Sequence, residues 1–203
     1  MARNKYPEVT VDKILDVSKR LFIEKGFDNT TIQDIVDELG GLTKGAIYHH
    51  FKSKEEIMKA LGDKMFFDNN PFEAVKGRAD LNGLQKIRMM LSLNRADAAR
   101  NKLNIQAIPI LENPRILAAA IEANRKVLTP LWFELIDEGT KDGSIQTEYA
   151  KELSEFLPFI NFWLLPSIFP ATAEELQQKN LFVMEMLSRM GLPLADEKDK
   201  PLQ

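Results

Sequence analysis

The chain has 203 residues, 44% of them hydrophobic, enough to bury a real core in one large domain or in a small one joined to a larger one. It contains no cysteine, which excludes disulfides, thiolate metal sites and cysteine nucleophiles and suits a reducing cytosol. The net charge of -3 argues against a protein that coats nucleic acid indiscriminately, so any contact with DNA is expected to be local. The polar start, with Arg3 and Lys5 and no following apolar run, is not that of a signal peptide. The apolar stretch over residues 156 to 169 is too short for a membrane span and is broken by Pro158 and Pro166, so a cytoplasmic protein is expected.

Ile14, Leu15, Ser18, Leu21 and Phe22 recur at helical spacing and predict a first helix over residues 10 to 25, stopped by Gly26. Ile32, Ile35, Val36 and Leu39 mark a second, opened by Thr31 with Asp34 three positions on or by Thr30 with Gln33, and ended by Gly40 and Gly41. The third is short. Thr43 is its N-cap, and Leu42 is placed to staple onto Ile47. Ile47 and Phe51 share one face and leave Lys44, Gly45, Tyr48 and His49 on the other. Ser53 opens a fourth helix through a capping box with Glu56, and Ile57, Leu61 and Met65 continue it inward.

Asn69-Asn70-Pro71 and Gly77 mark a break. Beyond it the pattern is helical throughout: a long helix over residues 81 to 101, another from Pro114 toward Gly139 with a kink or division at Pro130, and a turn at Lys141-Asp142-Gly143-Ser144. Two last helices span residues 149 to 168 and 172 to 190, and the tail after Gly191 reads as loose. The expected fold is all-α, with a helix-turn-helix domain over residues 1 to 54, a helical domain over 55 to 191, and a tail over 192 to 203.

Two short helices joined by a Gly-containing turn, the second apolar inside and small, basic and hydroxyl-rich outside, make a helix-turn-helix. A recognition helix must bring its backbone close to DNA, which Gly45 and Ala46 permit, and must offer donors, which Lys44, Tyr48 and His49 supply. No acidic residue occurs between Gly40 and Lys54. The starts of the second and fourth helices aim backbone N–H groups outward, with Thr31 and Lys54 beside them. Thr43, at the start of the recognition helix, completes the candidate DNA-binding set.

The run Leu21-Phe22, Gly26-Phe27, Thr30-Thr31-Ile32, Asp34-Ile35 and then Lys44 to Glu56 resembles the N-terminal signature of the tetracycline-repressor-like (TetR) family of transcriptional regulators. The resemblance implies three DNA-binding helices, a fourth linking to a larger effector-binding domain, and dimerisation through the last two long helices. Its implied partners are a double-stranded DNA operator, a small-molecule effector and a second copy of the chain, with no membrane and no cofactor. Position by position it implies that Lys44 and Gly45 contact the groove, Tyr48 and Lys54 phosphates, and His49 a base or phosphate. The turn Leu39-Gly40-Gly41-Leu42-Thr43 is one glycine longer than the family's usual turn.

Adjacent His49 and His50 are the only histidines, and helical neighbours point about 100° apart, so a metal site is not expected. No Gly-rich phosphate loop and no nucleophile-base pair occurs, so an enzyme is not expected either. Met65, Phe66, Met89, Ile108, Arg125, Trp132 and Phe162 are candidates for an effector pocket, each also explicable as core. Apolar stripes on the last two helices, including Phe156, Ile160, Trp163, Met184 and Leu187, are the candidate dimer interface. The alternative to a ligand-controlled repressor is an adaptor whose C-terminal bundle docks another protein.

Overall fold

A computed structural model describes residues 7–195 of the chain. The order is α1 (Pro7–Lys25), α2 (Ile32–Leu39), α3 (Lys44–His50), α4 (Lys54–Asp68), α5 (Glu73–Lys76), α6 (Gly83–Ala96) and α7 (Ala98–Ala107). A 3-10 turn (Ile108–Glu112) leads into α8 (Pro114–Ala123), then a π-helical turn (Asn124–Leu128), α9 (Thr129–Asp142), α10 (Ala150–Trp163) and α11 (Ala173–Arg189). No strand occurs among the described residues, in keeping with the all-α expectation.

The chain forms two compact units, and their division differs from the boundary expected after Lys54. Among the described residues, the first comprises 7–70 and 97–107, the second 71–96 and 108–195. In the first, Ile14, Leu15, Leu21 and Phe22 of α1 meet Ile35, Ile47, Phe51, Ile57 and Leu61, all buried. Phe27 folds back onto α1, its ring edge-on to Phe22 at 5.2 Å. Each such side chain taken from water contributes about 1.5–3 kcal/mol, so this small core fixes the inner faces of α2 and α3. Leu103 of α7 is buried in the same unit.

A single helix over residues 81 to 101 was the reading of periodicity; the structure breaks it at Asp97. Asp97 Oδ1 accepts from the Arg100 amide at 3.0 Å and its carbonyl from the Asn101 amide at 2.9 Å. That is N-cap chemistry, which an aspartate offers in competition with continuing the helix.

In the second unit α6 crosses α9 with backbones nearly touching. A Cβ on Gly83 would stand 2.3 Å from the Gly139 nitrogen. The start of α6 is capped locally, Asn82 Oδ1 accepting from the Gln85 amide at 2.9 Å, and also from far along the chain, the Gly83 amide donating to Asp142 Oδ2 at 2.6 Å and the Leu84 amide to Ser144 Oγ at 3.1 Å. Pro130 does divide its helix: it lacks the N–H that a regular ladder needs, and the π-helical turn just before it absorbs the mismatch. Helix α10 ends at Trp163, short of the expected 168, because Pro166 disfavours helical backbone in the residue before it.

The tail begins later than expected. Leu192 is fully buried, Gln146 donates to Gly191 O at 3.2 Å, and Arg88 Nη2 donates to the carbonyls of Pro193 and Ala195 at 2.8 Å. The rest of the expected tail, from residue 196, lies outside the described residues.

Candidate nucleic-acid interface

The start of each short helix in the first unit is set by a hydroxyl. Thr31 caps α2 in a reciprocal box: its Oγ1 accepts from the Asp34 amide at 3.1 Å while Asp34 Oδ2 accepts from the Thr31 amide at 2.8 Å. This decides for Thr31–Asp34 over Thr30–Gln33. Thr30 is buried instead, its hydroxyl donating to Gly26 O at 2.8 Å. The Asp34 carboxyl is held down at about 2, chiefly by the Thr31 hydroxyl, then by the Thr31 amide and by Lys25.

Between α2 and α3 the chain turns on two glycines. Gly40 has φ 50° and Gly41 φ 140°, and no atom would crowd a Cβ at either. Their need for glycine is therefore one of backbone conformation, most stringent at Gly41. Thr43 then caps α3, accepting from the Ala46 amide at 3.2 Å. Ser53 caps α4 through the Glu56 amide, but the expected box closes one residue early: Glu56 Oε2 takes the Lys52 amide at 2.8 Å rather than that of Ser53.

With Ile47 fully buried, α3 has one fixed face and one free face. Thr43, Lys44, Gly45, Tyr48 and His49 are all exposed. Tyr48 shows nearly half its surface to solvent although tyrosine packs well, so its ring is displayed rather than stored. Gly45 has ordinary helical φ, and a Cβ there would lie 3.8 Å from Thr43 Oγ1, a normal contact. Nothing inside the molecule requires a glycine at this helical position, where it costs roughly 0.5–1 kcal/mol against alanine.

The other two expected contacts are already engaged. Thr31's hydroxyl both accepts and donates within its cap. Lys54 reaches back under the loop between α1 and α2, donating to Phe27 O at 2.6 Å and Thr30 O at 2.9 Å, with its ammonium 4.2 Å over the Phe27 ring. Two of its three donors thus serve the fold. Sequence reasoning missed Gln106 and Arg100, which reach into the same unit from α7. Arg100 follows the Asp97 cap and was detectable with it; nothing in the local pattern signals Gln106.

The expected effector residues are spread across both units. Met65 and Phe66 belong to the first, and Met89, Ile108, Arg125, Trp132 and Phe162 to the second. Trp132 is buried edge-on to Phe72 at 5.4 Å, a core position. Arg125 is exposed and engages Glu122 with Nε and Nη2, which puts it at the surface rather than in an enclosed site. Met89, Ile108 and Phe162 are half-buried. Of the expected interface residues, Ile160 and Leu187 are buried within the chain itself, so the helices that carry them already pack there. Phe156 is exposed and Trp163 and Met184 partly so, while Phe159, Leu181 and Phe182 add exposed apolar surface to the same two helices.

Comparison with known proteins supplies the context. The model of the family described as bacterial regulatory proteins, tetR family, matches residues 14–61, which contain the capped helices just described. The HTH-type transcriptional repressor KstR2 of Rhodococcus jostii is 30% identical over 149 residues, covering 70% of this chain and 71% of that protein. A TetR-family transcriptional regulator from Pectobacterium atrosepticum has the same fold, with a TM-score of 0.64 at 18% identity over 94% of this chain and 98% of that one. A regulator from Saccharomonospora viridis, solved in complex with choline, gives a TM-score of 0.58 at 22% identity over 86% of this chain and 95% of that one.

Proposed function

The chain belongs to the TetR family of bacterial regulatory proteins and is a DNA-binding helix-turn-helix transcriptional regulator, and from that premise we propose that it is a repressor that binds its operator as a dimer and leaves it when a small molecule occupies the second unit. The observation that carries the DNA half is the free face of α3: a capped helix pinned by Ile47, displaying Lys44, Tyr48 and His49 around a glycine that the fold does not need. Lys44 and Gly45 meet the groove, Tyr48 meets a phosphate, and His49 meets a base or phosphate. Thr31 and Thr43 act by orienting helix starts, and Lys54 gives at most its remaining N–H to DNA.

Repression is supported by the name of the R. jostii relative, and control by a small ligand by the choline complex of the S. viridis protein, although choline itself is not assigned to this chain. The exposed Phe156, Phe159, Leu181 and Phe182 support a two-fold dimer through α10 and α11. Such a dimer would read half-sites about 34–36 Å apart or a multiple of that. The chain works by binding rather than by turnover, and it does so in the cytoplasm. No helix among the described residues is long and apolar enough to cross a membrane.

The test is fluorescence anisotropy with a duplex selected by the protein from a random-sequence pool, over a series of salt concentrations, with light scattering for the mass. Tyr48→Phe should weaken binding to selected and scrambled duplexes alike, and Lys44→Ala should cost about 1–3 kcal/mol on the selected duplex and relax its sequence preference. Unchanged affinity in both variants would remove α3 from the interface, and a monomeric mass at micromolar concentration would remove the dimer.

A further inference from the structure

The loop joining α1 to α2 is gripped from two sides. The Phe27 amide donates to Gln106 Oε1 at 2.9 Å, and the Phe27 carbonyl accepts from Lys54 at 2.6 Å. Gln106 stands near the end of α7, and at the beginning of that helix Arg100 Nη2 donates to Met65 O at 2.8 Å and Asn69 O at 2.7 Å. These are carbonyls at the end of α4, which a helix leaves without internal partners. One helix thus holds both the loop that leads into α2 and the far end of α4. It belongs to the same compact unit, although residues 71–96 of the other unit intervene in the chain.

We infer that Gln106 is a positioning residue for DNA recognition, its carboxamide holding the Phe27 peptide and hence the start of α2 in the arrangement that fits the groove. The inference rests on the reading of α3 as the recognition helix. Phe27 is buried, and its N–H has no other hydrogen-bond acceptor described, so removing Gln106's oxygen leaves a part-buried donor whose new partner has to be reached by a shift of the loop. Such a shift lowers the fraction of molecules whose α2, turn and α3 match DNA, and apparent affinity falls by that fraction. The number of phosphates contacted in the complex stays the same, so the salt dependence keeps its slope. A phosphate ligand behaves otherwise.

The experiment compares the full-length parent, Gln106→Leu and Gln106→Glu on the selected duplex over several salt concentrations, at a temperature where circular dichroism shows each fully folded. Gln106→Leu should bind about tenfold more weakly, equivalent to roughly 1.4 kcal/mol, with an unchanged salt slope. Gln106→Glu keeps an acceptor and should recover most of the loss. Under these conditions a role in global stability alone leaves the affinity of the folded protein untouched. Gln106→Leu binding like the parent, a changed salt slope in Gln106→Leu, or Gln106→Glu as weak as Gln106→Leu would each overturn the inference. If the parent itself prefers no duplex, the reading of α3 fails first, and that result appears before any substitution is made.

Discussion

Both units cap helices locally, as Thr172 and Glu175 do for α11, but in the second the crossing of α6 with α9 adds contacts from far along the chain. In the first, Thr31, Thr43, Ser53 and Asp97 each cap a helix from within three residues of the amide they serve. In the second, the start of α6 has its own cap from Asn82 and Gln85 and is also held by Asp142 and Ser144 at the end of α9, Gly83 lets two backbones meet, and Gly191 fits against Gln146 where a Cβ would stand 1.8 Å from its carbonyl oxygen. Local caps set helix starts in both units, and in the second close backbone contact between α6 and α9 is added to them. The consequence is a different sensitivity to substitution: the first unit tolerates added bulk where its helices face outward, and the second does not where its helices cross.

The largest expected effect lies at that crossing. A methyl group at Gly83 would meet backbone atoms of Gly139 at 2.3 and 2.4 Å, and backbone cannot rotate away as a side chain can. Gly83→Ala must force α6 and α9 apart and should cost about 3 kcal/mol or more, at the upper end for overpacked sites. Both tryptophans, Trp132 and Trp163, lie in the second unit, so urea unfolding followed by tryptophan fluorescence reads the loss there. A midpoint equal to the parent's would show that the crossing yields, and the contrast between the units would go with it.

Legibility in the sequence follows how far apart in the chain the partners lie. Thr31-x-x-Asp34, Thr43 with Ile47, and the Gly40-Gly41 turn are short-range patterns, and each names the backbone group it satisfies. The Asp97 cap was of the same kind but was hidden inside a continuous apolar periodicity. The seam of Gly83 with Gly139, the burial of Leu192 and the reach of Gln106 to Phe27 join residues far apart in the chain, and no local pattern encodes them. Apolar residues such as Trp132 and Phe162 look alike as core or as ligand contact until burial is known. The prolines were legible because their effect is local, Pro130 through its missing N–H and Pro166 through the backbone it disfavours just before it, although Pro158 sits inside α10 without ending it.

Two glycines sharpen the comparison at smaller magnitude. Gly45 in α3 and Gly62 in α4 are both exposed, helical, and free of any close contact that a methyl would disturb. Alanine at either should therefore stabilise the fold by about 0.4–1 kcal/mol, through the entropy of the unfolded chain and helix propensity. Only one of them sits on the face offered to DNA. Gly45→Ala should gain stability and lose operator affinity, whereas Gly62→Ala should gain stability and keep it. Thermal unfolding and anisotropy on the same preparations read both quantities. Equal affinity in the two variants would mean that α3 does not approach another surface as closely as its glycine suggests.

The smallest effect separates a cap from an ion pair. Asp34 is held at about 2 mainly by hydrogen bonds from Thr31, whereas Glu122 is held at about 2 by the cations Arg125 and Lys126. In both, the folded value is depressed. Each group therefore adds stability that is fully present above its ordinary carboxylate value and is lost as pH falls toward about 2. Asp34→Asn and Glu122→Gln should each lower stability at neutral pH and flatten its decline between about pH 4.5 and 2. Glu122 is exposed and Asp34 partly so, so the changes are small, and salt distinguishes their origin. At about 1 M salt the screening length shrinks to about 3 Å, which should erase most of the Glu122→Gln effect. The Asp34→Asn effect should persist, because neutral hydroxyl and amide donors at contact distance are little screened. Urea midpoints measured across that pH range at low and high salt decide it: if the two variants fade together, Asp34 is held by Lys25's charge, and the start of α2 is electrostatic rather than hydrogen-bonded in origin.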